Sequence, residues 1–167
     1  SFFEILEDTL VGRFLPAYTT RSKRRQTHVP KFYFADVGIV NMLAKRSVEP
    51  GSQAFGQALE NVLFHEIRAW NSYKNHHVGL SYWKLTRGAE VDFILGDMRC
   101  AIEVKATESV LDHHLKGLRE LHKDFPHTER MLISLDPIAR KTTDGIRLLP
   151  VEQFLQELWS DSIVTAS

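Results

Sequence analysis

Hydrophobic residues recur at helical spacing over residues 53–70 and form one broad face, which predicts a long amphipathic helix. Three short runs of alternating residues follow, separated by turn residues, at positions 79–86, 89–95 and 98–106. These runs predict an antiparallel three-stranded meander. The later pattern predicts a helix at 110–125, strands at 130–135 and 145–149, and a closing helix at 151–159. This order predicts an α/β fold.

The first part of the chain has a weaker pattern. It predicts a short helix near the start, a loop or two-stranded wing over 12–30 that contains a basic cluster (Arg21, Lys23, Arg24 and Arg25), and a strand at 32–34. A second short helix is expected after Asp36, whose carboxylate is suited to cap it. Pro50, Gly51 and Ser52 mark the best internal boundary, so we divide the chain into residues 1–48 and 49–167.

Composition excludes several functional classes. Lys plus Arg and Asp plus Glu number 21 each, so the chain has no general attraction to polyanions, and any contact with nucleic acid needs a local patch. The single cysteine permits no internal disulfide, which suits the reducing cytoplasm. No apolar stretch approaches the roughly 18 residues of a membrane span. Because the first residue is Ser, we expect the chain to be part of a longer one.

The candidate chemistry lies in the second and third strands of the meander. Side chains alternate across a strand, so Glu90 and Asp92 share one face, as do Glu103 and Lys105. If Gly96 and Asp97 form a two-residue turn, Glu90 lies opposite Glu103. All four ionisable groups then share one face, with Asp92 and Glu103 as diagonal neighbours.

Carboxylates gathered on one strand pair repel one another and need a proton, a cationic side chain or a metal ion nearby. Lys105 supplies one positive charge, and oxygen ligands in this number also suit Mg²⁺ or Mn²⁺. Such an ion polarises a phosphoryl oxygen, so the cluster predicts a phosphodiesterase site. The alternative is an exposed hairpin face whose charges are solvated and paired.

The long helix offers two further carboxylates. Glu60 falls at the margin of its apolar face, whereas Glu66 falls near the middle of that face. A carboxylate at the margin is placed to reach over the sheet toward a metal, which favours Glu60. Glu66 is expected to be neutral or paired with a cation if it does not serve this purpose.

These positions together resemble the signature of the PD-(D/E)XK nuclease superfamily. The signature has an acid on the first helix, an isolated aspartate on the second strand and Glu-X-Lys on the third, here Glu60, Asp92 and Glu103-Val104-Lys105. The core order of that superfamily agrees with the elements predicted for residues 53–135. The chain resembles more closely an uncharacterised domain family found at the C-terminus of prokaryotic AAA+-type ATPases, through residues 31–38, 58–61, 88–93 and 101–105.

The resemblance implies a restriction-endonuclease-like fold with a Mg²⁺- or Mn²⁺-dependent nuclease site that acts on DNA. Asp92 and Glu103 would be metal ligands, Glu60 an accessory ligand and Lys105 the catalytic cation, while Glu90 has a supporting role. The resemblance also implies that the first segment is the end of a winged-helix unit, and that an ATPase domain of the same polypeptide is a partner. The alternative is a noncatalytic module for dimerisation or protein recognition, its acids held by Lys105 and neighbouring arginines.

Overall fold

The elements follow the predicted order along the chain. The computed structural model describes residues 2–19, 26–86 and 88–163. Within these ranges the α-helices are α1 (Phe2–Asp8), α2 (Val37–Leu43), α3 (Gln53–Tyr73), α4 (Lys116–His122) and α5 (Val151–Trp159). The strands are β1 (Gly12–Leu15), β2 (Lys31–Phe34), β3 (Leu80–Lys84), β4 (Glu90–Leu95), β5 (Cys100–Lys105), β6 (Glu129–Ser134), β7 (Arg140–Lys141) and β8 (Arg147–Pro150). None of these helices combines the length and the apolar character that a membrane crossing requires.

Local capping explains where two of the predicted helices begin. The Ser52 hydroxyl accepts the Phe55 N–H at 3.1 Å and starts α3, while the Asp36 carboxylate caps α2 as expected. The helix predicted from residue 110 begins later, as a 3-10 turn (Asp112–Leu115) that leads into α4. The backbone of Ser109 is hydrogen-bonded to the Thr107 hydroxyl, so Ser109 belongs to a turn and does not cap the helix.

Six strands in the described ranges form one mixed sheet, in the order β3-β4-β5-β6-β8-β7. The β3–β4 and β4–β5 pairs are antiparallel, which confirms the predicted meander. The β5–β6 and β6–β8 pairs are parallel, and the short β7 closes the edge antiparallel to β8. The fold is therefore a mixed α/β structure.

Helices cover both faces of this sheet. The helices α3 and α5 pack on one face, against a core that includes Phe93, Ile102 and Val104. Helix α4 packs on the other face, against a core that includes Ile94 and Ala101. Alternation along β5 therefore directs Ile102 and Val104 toward α3 and directs Glu103 toward α4.

The first part of the chain packs onto the same core. Strands β1 and β2 form a two-stranded antiparallel sheet, and Leu15 and Tyr33 are buried with the α3 side chains. The Tyr33 ring stacks on Phe64 with centroids 4.2 Å apart. This packing carries β2 to the edge of the sheet where β4 begins. The basic cluster at 21–25 lies outside the described residues.

The β4–β5 turn differs from the prediction. Leu95 pairs with Cys100, so four residues (Gly96 to Arg99) connect the strands, and the expected pairing of Glu90 with Glu103 is wrong. Met98 explains the longer loop, because its side chain is buried in the core beneath α4 while its backbone adopts φ 55°. Burial of this apolar side chain stabilises a loop that a two-residue turn would not allow.

The regular alternation assumed for β4 is also wrong. Ser81 pairs with Ile94 and Trp83 pairs with Val91, so β4 contains one more residue than β3 between these pairs and forms a bulge. Val91 and Ile94 consequently both belong to the core beneath α4. Asp92 lies within this bulge, between Val91 and Ile94.

Helix α4 approaches β4 so closely that a glycine is required. A Cβ on Gly117 would lie 2.1 Å from the Glu90 carbonyl oxygen, whereas a Cβ on Gly56 in α3 would make only an ordinary 4.0 Å contact. Gly117→Ala is expected to lower the free energy of unfolding by about 1–3 kcal/mol, because backbone must shift. Gly56→Ala is the matched control and is expected to raise it by roughly 0.5–1 kcal/mol through helix propensity. Urea denaturation of both variants checks this pair, and shifts of the same sign would contradict the close approach.

Candidate active site

Strand β2 brings two polar side chains to the long helix. Lys31 and Tyr33 alternate with Phe32 and Phe34, so they share one face of the strand. Both reach the same atom, since the Lys31 ammonium lies 3.1 Å from Glu60 Oε1 and the Tyr33 hydroxyl donates a hydrogen bond to that oxygen. Two residues of β2 therefore hold the carboxylate of Glu60.

The Lys31 ammonium lies among three carboxylates, which together we call the lysine-centred cluster (Lys31, Glu60, Glu90 and Asp92). Its Nζ lies 2.6 Å from Glu90 Oε1 and 3.2 Å from Asp92 Oδ1, in addition to the contact with Glu60. The Lys31 side chain is 22% exposed, so solvent screens these pairs only partly. Lys84 adds a second cation, with its Nζ 2.7 Å from Glu90 Oε2.

Burial and charge act in opposite directions on the pKa values of this cluster. Burial and the neighbouring Asp92 raise the pKa of Glu60, although Lys31 and Tyr33 oppose the increase. Burial alone would raise the pKa of Glu90, but Lys31 and Lys84 outweigh it and the pKa lies below its ordinary value. Burial alone would lower the pKa of Lys31, yet Asp92, Glu60 and Glu90 raise it, so the ammonium stays charged.

Asp92 connects this cluster to β5. Its Oδ1 contacts Lys31, while its Oδ2 accepts the Val104 N–H at 2.9 Å. Val104 directly follows Glu103, so the Asp92 carboxylate lies against the β5 backbone beside that residue. The Asp92 side chain thus bonds to the backbone of β5, beyond the Phe93–Ile102 pair of the β4–β5 ladder.

The Glu103 carboxylate is buried but only half satisfied. Its side chain is 8% exposed, and Oε1 lies 2.5 Å from Lys105 Nζ. Its Oε2 is buried and has no hydrogen-bond partner among the described residues. Burial, followed by the charge of Asp92, raises the pKa of Glu103 to about 8, against the opposing effects of Lys105 and Lys31. A buried, unpartnered carboxylate oxygen is costly, and a bound ion or water is one way in which such an atom is satisfied.

The structure brings the four predicted site residues, Glu60, Asp92, Glu103 and Lys105, to one end of the β4–β5 pair. Glu66 lies elsewhere, because its Oε2 accepts the Trp159 indole N–H at 3.0 Å. In the described part of the chain, no three His, Cys, Asp or Glu side chains converge as a metal-binding group. Lys105 contacts Glu103, as the noncatalytic alternative expected, whereas Lys31 and Lys84 take the place of the neighbouring arginines that this alternative named.

Two family models match the chain. The first, a domain of unknown function (DUF4143), matches residues 55–154, which is more than half of the chain. The chain belongs to the DUF4143 family. A second domain of unknown function (DUF8612) matches residues 1–49. No curated protein and no solved structure matches the chain.

The DUF4143 match contains all four predicted site residues, whereas Lys31 and Tyr33 come from the DUF8612 match. Neither Lys31 nor Tyr33 was placed in the candidate site from the sequence. The available signal was the alternation of polar and apolar residues at 31–34, which marks a strand with Lys31 and Tyr33 on one face. That pattern does not show which carboxylates contact this face of the strand.

Proposed function

We propose that this DUF4143 domain is a metal-dependent nuclease module that hydrolyses phosphodiester bonds in DNA, with Asp92 and Glu103 as the ligands of Mg²⁺ or Mn²⁺. The observation that carries the proposal is the buried Glu103 carboxylate, whose Oε2 has no partner among the described residues while Asp92 lies beside it. A carboxylate oxygen kept out of water in this way is suited to a cation that arrives with the substrate.

The donor set fits a hard divalent cation. Mg²⁺ is usually bound in proteins by one or two carboxylates together with water and substrate phosphate oxygens, so Asp92 and Glu103 suffice as protein ligands. When bound, the ion supplies polarisation of a phosphoryl oxygen and a more acidic water. We place Glu60 outside this primary pair, because its Oε1 is held by Lys31 and Tyr33.

The catalytic cation in this proposal is Lys105. Glu103 is the largest contributor to the raised pKa of Lys105, so the ammonium is charged at neutral pH even though burial opposes this. Its side chain is 37% exposed, which leaves the charge accessible from outside while Oε1 of Glu103 anchors it. Lys105 stabilises negative charge that develops on the phosphate in the transition state, as preorganised cations do in other enzymes.

Delivery of DNA needs a partner. Equal numbers of acidic and basic residues give the chain no general attraction to polyanions. We propose that an ATPase domain of the same polypeptide presents the substrate, in keeping with the family resemblance at 31–38, 58–61, 88–93 and 101–105.

A second candidate is a noncatalytic module for homodimerisation or protein recognition. Lys31 favours it, because this ammonium contacts Glu60, Glu90 and Asp92 and neutralises part of the cluster without a metal ion. On this hypothesis the acids are structural, and Glu103 is protonated at neutral pH.

Metal binding and cleavage separate the two candidates. Titration calorimetry with Mn²⁺ and Mg²⁺, followed by cleavage assays on plasmid and single-stranded DNA, is expected to show binding and activity in the wild type. Asp92→Asn is expected to weaken Mn²⁺ binding at least about tenfold, because one of two charged ligands is lost. Glu108→Gln, which removes an exposed acid just beyond β5, is the matched control and is expected to leave both unchanged. Absence of binding at millimolar metal, with equal DNA cleavage by the wild type and Asp92→Asn, would refute the nuclease proposal.

A further inference from the structure

The lysine-centred cluster gathers three carboxylates around one ammonium. Three carboxylate oxygens, one each from Glu60, Glu90 and Asp92, lie 2.6–3.2 Å from Lys31 Nζ. The Tyr82 ring also faces this ammonium, with its centroid 5.1 Å away. Without the charge of Lys31, the three carboxylates would repel one another in a partly buried space.

Asp92 belongs to both parts of the site. Its Oδ1 faces Lys31, and its Oδ2 lies against the β5 backbone beside the unpartnered Oε2 of Glu103. A carboxylate shared by two adjacent cations is the usual arrangement in two-metal phosphodiesterase sites. Here the Lys31 ammonium lies 3.2 Å from Oδ1 of this shared carboxylate.

The core holds Lys31 in this position. Its neighbour Tyr33 is 6% exposed, stacks on Phe64 and donates to Glu60. Strand β2 is therefore anchored two residues beyond Lys31, on the same face of the strand. Lys31 consequently presents its charge from a fixed backbone.

We infer that Lys31 fills the place of a second divalent cation and thereby restricts the DUF4143 site to a single metal ion, held by Asp92 and Glu103. This inference rests on the proposed function for the identity of the first ion. It explains why Glu60 contacts β2 although its position on α3 resembles that of an accessory metal ligand. The chain then contains its own counter-cation, which comes from the segment matched by the other family model.

Removal of the Lys31 charge tests this inference directly. Lys31→Met keeps the apolar stem of the side chain and leaves three carboxylates together. Titration calorimetry and electron paramagnetic resonance are expected to show one more bound Mn²⁺ per chain in Lys31→Met than in the wild type. Lys31→Met is expected to bind this additional ion at least about tenfold more tightly than Lys84→Met binds any additional ion. Lys84→Met is the matched control, because Lys84 also contacts Glu90 but its loss leaves Lys31 in place.

Thermal unfolding gives a second readout. Metal-free Lys31→Met is expected to unfold at a lower temperature than the wild type, and Mn²⁺ is expected to restore most of the difference. An unchanged number of bound Mn²⁺ ions in folded Lys31→Met would overturn the inference. The gain of an ion is measured relative to the wild type, so a wild type that binds metal but cleaves no DNA would refute only the proposed function.

Glu60→Gln provides a test that leaves Lys31 in place and does not depend on folding of Lys31→Met. If Lys31 holds Glu60 away from the metal, this variant is expected to bind the first Mn²⁺ with the affinity of the wild type. A loss of affinity of about tenfold or more would show that Glu60 is a metal ligand and would contradict the inference.

Discussion

The metal-free protein is expected to become less stable as the pH rises from about 5 to about 9, and Glu103→Gln is expected to remove most of this loss. Burial and the charge of Asp92 raise the pKa of Glu103 from its ordinary value of 4.5 to about 8 in the folded chain. Between these values the unfolded chain has lost the proton that the folded chain keeps, so raising the pH favours unfolding. The loss is on the order of 4 kcal/mol over this window.

The groups that face Glu103 support this sign. Asp92 of β4 raises the pKa of Glu103, while Lys105 of β5 and Lys31 of β2 lower it without cancelling the effect of burial. Glu60 contributes in the same direction, because its pKa is also raised. Asp144, whose pKa is lowered to about 2 by its hydrogen bond with Arg119, acts at lower pH and does not offset the loss in this window.

Urea denaturation at several pH values, with a chelator present, measures this effect. The wild type and Glu108→Gln are expected to show the same decrease in the free energy of unfolding, whereas Glu103→Gln is expected to show a much smaller decrease above about pH 5, to which Glu60 still contributes. Glu103→Gln should then be more stable than the wild type at high pH and inactive toward DNA. Such a result is the mark of a strained group kept for function. Equal slopes in Glu103→Gln and the wild type would show that Glu103 is ionised in the fold.

Lys105→Met is expected to reduce the rate of DNA cleavage by about 10²–10³ at saturating Mn²⁺, because the transition state loses a positioned positive charge. The Lys105 ammonium contacts only Oε1 of Glu103, so its removal leaves Asp92 and Oε2 of Glu103 in place. Bound Mn²⁺ should therefore remain detectable by calorimetry. A loss confined to the rate constant would identify Lys105 as a catalytic residue.

The matched control for this experiment is Lys141→Met. Lys141 is exposed on β7, and β6 and β8 lie between that edge strand and β5. Single-turnover cleavage by Lys141→Met is expected to equal that of the wild type. Full activity in Lys105→Met would exclude the proposed role, and a parallel loss of metal binding and rate would assign Lys105 to the structure of the site.

Much of the fold follows from patterns within single elements. The helix α5 was predicted with its observed bounds, and the apolar spacing of α3 placed Leu63, Ile67 and Trp70 on its buried face, because periodicity records which side of an element is covered. Val62, which the same spacing assigned to that face, is exposed. Predictions about the ends of elements failed at two places. Burial of Met98 lengthened the β4–β5 loop, and the turn at Thr107 and Ser109 delayed the helix that leads to α4.

For the candidate site, the amino-acid sequence alone determined the types of chemical group, namely the acids Glu60, Asp92 and Glu103 and the cation Lys105. Only the tertiary structure decided their partners. Asp92 bonds to the backbone of β5, and the packing of β2 brought Lys31 to carboxylates that are 29 and 61 residues away along the chain. Side-chain periodicity specifies the face of one strand or helix, whereas ion pairs between distant segments depend on how those faces pack together.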